Sequence, residues 1–280
     1  MPPVRAREVA QEPLFCYSIS MNAEQKGHLH PITQTIREIY SVFYELGFEI
    51  ALGPELEREY YNFDALNIPA DHPSRDMQDT FWIKENGVGS KEGGEGSKEE
   101  GGKKVDIQNI GRRLLTTQTS AIQIRFMQDK LKAGIEPPFR VIAPGKVFRN
   151  EATDDTHEAQ FYQMEGLYID KNVSMAHLKG MMEYAMKRIF GPKVEIRFRP
   201  SYFPFVEPGV EVDVRWNDRW LEVLPGGLVH PNVLKAGGLD PDKWQGFAFA
   251  FGIDRIVMLK HGIDDIRLLY SGDLRLVDQF

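Results

Sequence analysis

Residues 147–167 read V-F-R-N-E-A-T-D-D-T-H-E-A-Q-F-Y-Q-M-E-G-L, two strand patterns separated by a polar loop. The stretch from Arg140 to Arg149 is rich in β-branched and aromatic residues and predicts the first strand. Ala152 to Ala159 holds Asp154, Asp155, His157 and Glu158, and is too long and too polar for a tight hairpin turn. Gln160 to Ile169 predicts the return strand, and because side chains two apart point the same way, Phe161, Gln163 and Glu165 share a face. With Arg149 and Glu151 at the end of the first strand, one sheet surface offers a guanidinium, an aromatic ring, an amide and a carboxylate. Those groups suit a phosphate, a planar base and an ammonium together. A charged hairpin taken alone is more often a solvated sheet edge, so its meaning depends on its neighbours.

Downstream, Ser174 to Phe190 is an amphipathic helix with Met175, Leu178, Met182, Ala185 and Ile189 inward, its methionines read as core filler. Strand patterns follow at Val194–Arg199, Val210–Trp216, Trp220–Leu224 and Phe247–Phe251, the last running into a helix from Ile253 to Lys260. Upstream, Ile32, Ile36, Ile39, Phe43 and Leu46 recur at three and four and predict a helix from Pro31 to Leu46. A strand from Phe48 to Leu52 should stop at Gly53-Pro54, and Glu55 to Leu66 should form a second helix burying Tyr60, Tyr61, Phe63 and Leu66. Asn67 to Asp76 is turn-rich, Asp79 to Ile83 a short strand, and Ala121 to Lys132 a helix capped by Thr119 or Ser120. Strands dominate the middle and helices the ends, an α+β pattern: a mainly antiparallel β-sheet flanked by helices.

Residues 84–110 are expected to form a flexible insertion, because Lys84 to Lys104 is almost all Gly, Ser, Glu and Lys. It holds no G-x-x-x-x-G-K-[ST] loop, so phosphate is not bound in the P-loop manner. At 280 residues and 42% hydrophobic the chain can bury a full core. A net charge of −7 argues against a stand-alone nucleic-acid binder, though not against an enzyme touching RNA locally. The single cysteine, Cys16, excludes an internal disulfide framework and suits the cytoplasm. No cluster has structural-zinc spacing, His28 and His30 read as loop residues, and no apolar run is long enough for a membrane span.

Three further stretches point to the same chemistry. In F-A-F-A-F-G-I-D-R, residues 247–255, a strand runs into a helix whose first turn carries Arg255, where a guanidinium meets anions that the helix N-terminus also favours. Arg149 and Arg255 would supply two permanent cations to a bent triphosphate, and Phe161 opposite the Arg255 plane could sandwich a purine. Y-F-P-F-V-E-P, residues 202–208, puts Phe203 and Phe205 on one face, where they could grip another aromatic ring. Glu207 and Glu222 are the candidate carboxylates for Mg2+ on nucleotide phosphates.

From His30 to Phe280 the sequence resembles the catalytic domain of the bacterial-type phenylalanyl-tRNA synthetase alpha subunit, a class II aminoacyl-tRNA synthetase. The resemblance rests on N-F-D-A-L-N-x-P at 62–69, D-M-Q-D-T-F at 76–81, T-Q-T-S at 117–120 and V-F-R-N-E at 147–151. It continues through F-Y-Q-M-E-G-L at 161–167, the Y-F-P-F-V-E-P run, V-H-P-N-V at 229–233 and G-F-A-F at 246–249. Pro54 falls where the first class motif ends, Arg149 and Glu151 in the second, Arg255 in the third. The resemblance implies that Arg149 contacts the α-phosphate of ATP, with Glu151 and His157 around the nucleotide and Phe161 and Arg255 about the adenine. It implies Ser120, Gln163 and Glu165 at the polar end of phenylalanine, with Gln118 and Gln123 nearby. Phe203, Phe205 and Val206 should line the ring pocket, Ala248 should set its depth, and Glu207 should serve magnesium.

The implied partners are ATP, phenylalanine, tRNA(Phe) and a beta subunit in an α2β2 heterotetramer; the implied location is the cytoplasm, with no membrane. Residues 30–280 would be the catalytic domain, and residues 1–29 a tail lacking the family's coiled-coil arm. Departures are Thr116, where relatives often carry arginine, and Pro225 and Ala250, where they often carry glycine. The rival readings are an adenylate-forming ligase that needs no tRNA and a non-catalytic regulatory paralogue.

Overall fold

The computed structural model describes residues 27–76, 79–83 and 111–280. The expected insertion at 84–110 and most of the expected N-terminal tail lie outside the described residues. A seven-stranded mixed sheet organises the rest. It comprises β1 (Glu49–Ile50), β4 (Phe139–Phe148), β5 (Gln160–Asp170), β9 (Gln245–Gly252), β8 (Arg219–Val229), β7 (Val206–Trp216) and β6 (Ile196–Phe203), in that spatial order. Only β1 runs parallel to its neighbour, β4; every other pairing is antiparallel. A two-stranded ribbon of β2 (Leu56–Arg58) and β3 (Arg113–Leu115) stands beside it.

Alternation along β9 divides the molecule into two faces. Phe247, Phe249 and Phe251 point to one side and are buried, with Phe249 and Phe251 stacked against Phe43 of helix α1 (Pro31–Glu45). Helices α4 (Met175–Phe190) and α6 (Ile253–His261) complete this layer through Leu178, Met182, Met186, Ile256 and Val257. Each such buried side chain contributes about 1.5–3 kcal/mol relative to its exposed state. Gly166 of β5 has no side chain because the Phe249 ring lies over it; a Cβ there would stand 2.0 Å from the ring. The opposite alternation, Gly246, Ala248, Ala250 and Gly252, leaves the other face open. Helix α3 (Ser120–Lys132) and the short helices α2 (Glu59–Asn62) and α5 (Pro231–Ala236) pack around that face with Phe63, Leu66, Leu167 and Val233. A last short helix, α7 (Leu274–Val277), closes the described chain.

The helix expected over 55–66 is a correction. Its first part is strand β2, and only Glu59–Asn62 is α-helical, followed by a 3-10 turn at Asp64–Leu66. The cause is Glu57, whose buried carboxylate takes a two-point ion pair from Arg125 (2.8 and 2.5 Å) while its backbone pairs with Leu114. Strand β1 is shorter than Phe48–Leu52, and Asp79–Ile83 contributes a single bridge, Trp82 to Leu114. Strands β6 to β8 each extend several residues beyond the sequence pattern, because glycine and proline interrupt the alternation without interrupting the ladder. Among the described residues, no helix is long and apolar enough to cross a membrane.

Candidate active site

The open sheet face carries three hollows that meet at Arg149 and Phe203, both of which line all three. Strands β4 and β5 set this meeting point. Val147 pairs with Phe161 and Gly145 with Gln163. Arg149, one residue past β4, is held by its backbone N–H on Ala159 O at 3.0 Å, with its guanidinium 5.0 Å from the Phe161 ring centre. Burial lowers the Arg149 pKa, and Glu151, Glu165 and Asp79 oppose that shift, so the guanidinium stays a cation.

The first hollow, about 190 Å³, has an apolar end and a polar end. Phe203 and Phe205 stack at 5.9 Å on one wall, and Ala248 of β9 lies on the floor. At the polar end, Ser120 Oγ donates to Glu165 Oε1 at 2.6 Å and Gln123 Nε2 to Oε2 at 2.9 Å. Burial pushes the Glu165 carboxyl up to about 7, with the Ser120 hydrogen bonds and the Arg149 charge pulling it back. Beside it Gln163 Oε1 is buried and has no hydrogen-bond partner. An unmatched acceptor beside a carboxyl poised to ionise fits an incoming ammonium.

The second hollow, about 630 Å³, runs from Arg149 past Phe161 and His157 to Arg255 and Glu222. Its loop wall is fixed by Asp154, which accepts from the backbone of Thr156 and His157, each at 2.7 Å. Those bonds, Thr156 first, hold the Asp154 carboxyl well below the usual range. Arg255 Nε donates to Glu222 O at 3.1 Å. Desolvation and the nearby Glu211 raise the Glu222 carboxyl, opposed by Arg199 and Arg255. The third hollow lies beside the first, with Glu151, Asp79, His72 and Tyr202 on its walls.

The expected residues therefore divide. Gln118, Ser120, Gln123, Gln163, Glu165, Phe203, Phe205 and Ala248 all line the first hollow, and His157, Phe161 and Arg255 line the second. Val206 does not line either; it is 2% exposed and paired with Phe203 and Val229 inside the sheet. Glu151 borders the third hollow rather than the second. Glu207 and Glu222 are not brought together. Glu222 pairs opposite Asp213, whereas Glu207 lies next to the Val206–Val229 pair at the other end of β7, 3.7 Å from His230. Ser120 is not a cap either: Thr119 holds the cap position without making a cap bond, and the Ser120 hydroxyl goes to Glu165.

Residues to which the sequence reading gave no role in the site also support it. Leu66, Val229 and Val233 complete the apolar wall. Asn62 organises the 116–118 loop, with Oδ1 accepting from Thr116 Oγ1 and Thr117 N at 3.2 Å each. Thr116 thus fills a structural role in that loop. Asp254 accepts from Tyr162 N at 2.6 Å and from the Tyr270 hydroxyl, fastening the start of α6 to β5. Its neighbour Arg255 supplied the sequence signal; a buried aspartate gives none.

A profile of the family described as tRNA synthetases class II core domain (F) matches residues 17–280. The phenylalanine–tRNA ligase alpha subunit of Synechocystis is 46% identical over 255 residues, 91% of this chain and 68% of that protein. This chain belongs to that family. The alpha subunit of Proteus mirabilis is 48% identical over 257 residues, covering 91% and 69%, and that of Clostridium perfringens 45% over 276 residues, covering 94% and 72%. The pyrrolysyl-tRNA synthetase of Desulfitobacterium hafniense shares the fold, with a TM-score of 0.62 at 14% identity, over 88% of this chain and 75% of that one. Membership makes the chain a ligase with a class II core, in a family that uses ATP as a substrate.

Proposed function

We propose that this chain activates phenylalanine with ATP and passes it to tRNA(Phe), as the alpha subunit of a cytoplasmic α2β2 heterotetramer. Residues 30–280 act as one catalytic domain. The observation that carries this reading is the first hollow, an apolar slot with Phe203 and Phe205 on its wall and Ala248 on its floor. It ends at Gln163 and Glu165 and opens beside Arg149 into a larger hollow with two arginines.

In this arrangement the ring enters the slot and the ammonium meets Glu165 and Gln163. The carboxylate then faces Arg149 at the junction. A carboxylate oxygen attacks the α-phosphorus of ATP, the bond to the bridging oxygen breaks, and pyrophosphate departs with the electron pair. Arg149 stabilises the added charge at the α-phosphate, and Arg255 opposite Phe161 orients the nucleotide; no protein nucleophile is needed. The 2′-hydroxyl of the terminal adenosine then attacks the carbonyl carbon and AMP leaves.

Among the described residues, no three His, Cys, Asp or Glu side chains cluster as a metal cage. Magnesium on nucleotide phosphates needs only one or two protein carboxylates. Glu222, with Glu211 beside it, fits that need on the wall of the larger hollow. Glu207 would have to act at a separate position. When bound, the ion would neutralise phosphate charge. Pyrophosphate exchange with each amino acid in turn, with and without the beta subunit, tests the proposal. Exchange dependent on phenylalanine is expected, and exchange with a different amino acid alone overturns it.

A further inference from the structure

The segment that follows α6 reaches back to the larger hollow at two points, and neither has a part in the reaction as proposed. Ile266, which begins the 3-10 turn Ile266–Tyr270, lines that hollow and donates its backbone N–H to Asp155 O at 2.9 Å. Tyr270, which ends the turn, donates its hydroxyl to Asp254 Oδ1. We infer that Tyr270 is a positioning residue for the nucleotide: through Asp254 it sets Phe161 and Arg255 at the separation that receives the base, while its turn holds the loop that carries His157. The inference deepens the proposed placement of the base between those two residues and rests on it.

The contact that matters lies at the end of a ladder. Strands β5 and β9 pair as far as Gln163 and Gly252, after which the chain leaves the sheet as α6. Tyr162 N, just past that end, donates to Asp254 Oδ2 at 2.6 Å. The side chain thus serves a backbone donor where the neighbouring strand has stopped. Tyr162 follows Phe161 in the chain, and Asp254 precedes Arg255. One carboxylate therefore spans the two groups that face the base, and its orientation decides how far apart they stand. Held by one oxygen a carboxylate can still turn; Tyr270 takes the other oxygen. Burial pushes the Asp254 carboxyl up, and the hydrogen bonds from Tyr270 and Tyr162 pull it back. Burial and the Asp254 charge raise the Tyr270 hydroxyl, so it stays a donor.

The turn is anchored from below. Ile266 and Leu269 are buried in the same layer as Ile256 and Val257 of α6, and Asp265 caps the turn by accepting from Arg267 N at 2.9 Å. The loop it meets is exposed from Glu151 to His157 and is closed by local bonds such as those at Asp154. A buried turn thus supports an exposed loop, of which Thr156, His157 and Glu158 wall the hollow. The amino-acid slot does not depend on this turn, because Gln163 is paired on both sides, with Gly145 and with Gly252. Loss of the Tyr270 hydroxyl should therefore be felt by the nucleotide and not by the amino acid.

The test uses the assembled enzyme and compares Tyr270→Phe and Tyr270→Leu with the parent, measuring ATP and phenylalanine binding separately by calorimetry. In Tyr270→Phe the Kd for ATP should rise about tenfold, the scale of one hydrogen bond to a charged group. Phenylalanine binding should stay at the parental level. Tyr270→Leu also gives up the packing of the ring, so it should melt below Tyr270→Phe yet weaken ATP by the same factor, because the hydroxyl and not the ring sets Asp254. Unchanged ATP affinity in Tyr270→Phe, a parallel weakening of phenylalanine, or ATP affinity that falls in step with the melting temperature across the two variants would overturn the inference. Absence of phenylalanine-dependent exchange in the parent would instead overturn the proposed function and leave the ATP comparison readable.

Discussion

The side-chain amide of Asn67 donates to the carbonyl oxygen of Pro204 at 2.7 Å, tying the turn between the two stacked rings to a loop far earlier in the chain. Asn67 Oδ1 also accepts from Asn232 at 2.9 Å, so one side chain joins three segments around the slot. Asn67 itself stands in the left-handed region, at φ 59°, which asparagine tolerates better than most residues.

Asn67→Ala should therefore lower stability by about 1–3 kcal/mol, combining left-handed strain with the lost hydrogen bonds. It should also raise the KM for phenylalanine. Asn67→Gly relieves the backbone but restores no bond, so it should regain part of the stability and none of the KM. Thermal melts and exchange kinetics on both variants check this; a normal KM in Asn67→Gly would show that the Pro204 contact does not position the rings.

Arg149→Ala and Arg255→Ala should each cut adenylate formation by about 10²- to 10³-fold, the usual cost of removing a preorganised charge-stabilising group. Neither guanidinium is part of the hydrophobic core, so both variants should keep the parental circular dichroism spectrum. Near-normal exchange in either folded variant would remove that arginine from the reaction.

Ala248→Gly should admit para-substituted phenylalanines. Ala248 lies on the slot floor, paired across the sheet with Gly227 and Leu167, so no neighbouring side chain on those partners' backbones must move when its methyl is removed. An apolar slot discriminates against one added group by only about 10²-fold. Exchange with para-chlorophenylalanine measures the change, and equal exclusion by variant and parent would place the ring tip elsewhere. Pro225 and Ala250 both line the first and second hollows, so they lie where the two adjoin.

The face of the sheet was legible from the period of two along 160–169, and the helix Pro31–Glu45 from its three-and-four repeat. Phe161, Gln163 and Glu165 stand on one face because strand geometry leaves no alternative. The 55–66 segment misled because Glu57 is held as a strand by Arg125, a partner 68 residues away that no local pattern announces. Glu207 and Glu222 looked equivalent as carboxylates on neighbouring strands; only the β7–β8 register separates them. Asn62, Asn67 and Asp254 lay within quoted stretches, but their roles were invisible for the same reason, since each works through hydrogen bonds to distant segments.

Glu165 makes the pH dependence of the empty slot a direct test. Its carboxyl titrates at about 7 in the folded protein against 4.5 when unperturbed, chiefly because of burial. The folded state thus holds its proton to higher pH than the unfolded state. The favourable contribution is complete below about 4.5, is lost progressively as pH rises to about 7, and stays lost above it. The cost above that window is about 3 kcal/mol at most. Glu165→Gln cannot ionise, so it should melt higher than the parent at pH 8 in the absence of substrate, and the advantage should vanish by pH 4.5. A flip of the Gln123 amide would keep the buried hydrogen bonds matched. Phenylalanine binding should respond in the opposite sense. The ammonium needs the carboxylate, so affinity in the parent should weaken by up to about tenfold per pH unit below 7 and level off above it. In Glu165→Gln, binding should be weak throughout and nearly independent of pH between 5.5 and 8. Calorimetric titration of phenylalanine across that range separates the two profiles; a pH-independent parent would show that Glu165 is already ionised in the empty slot.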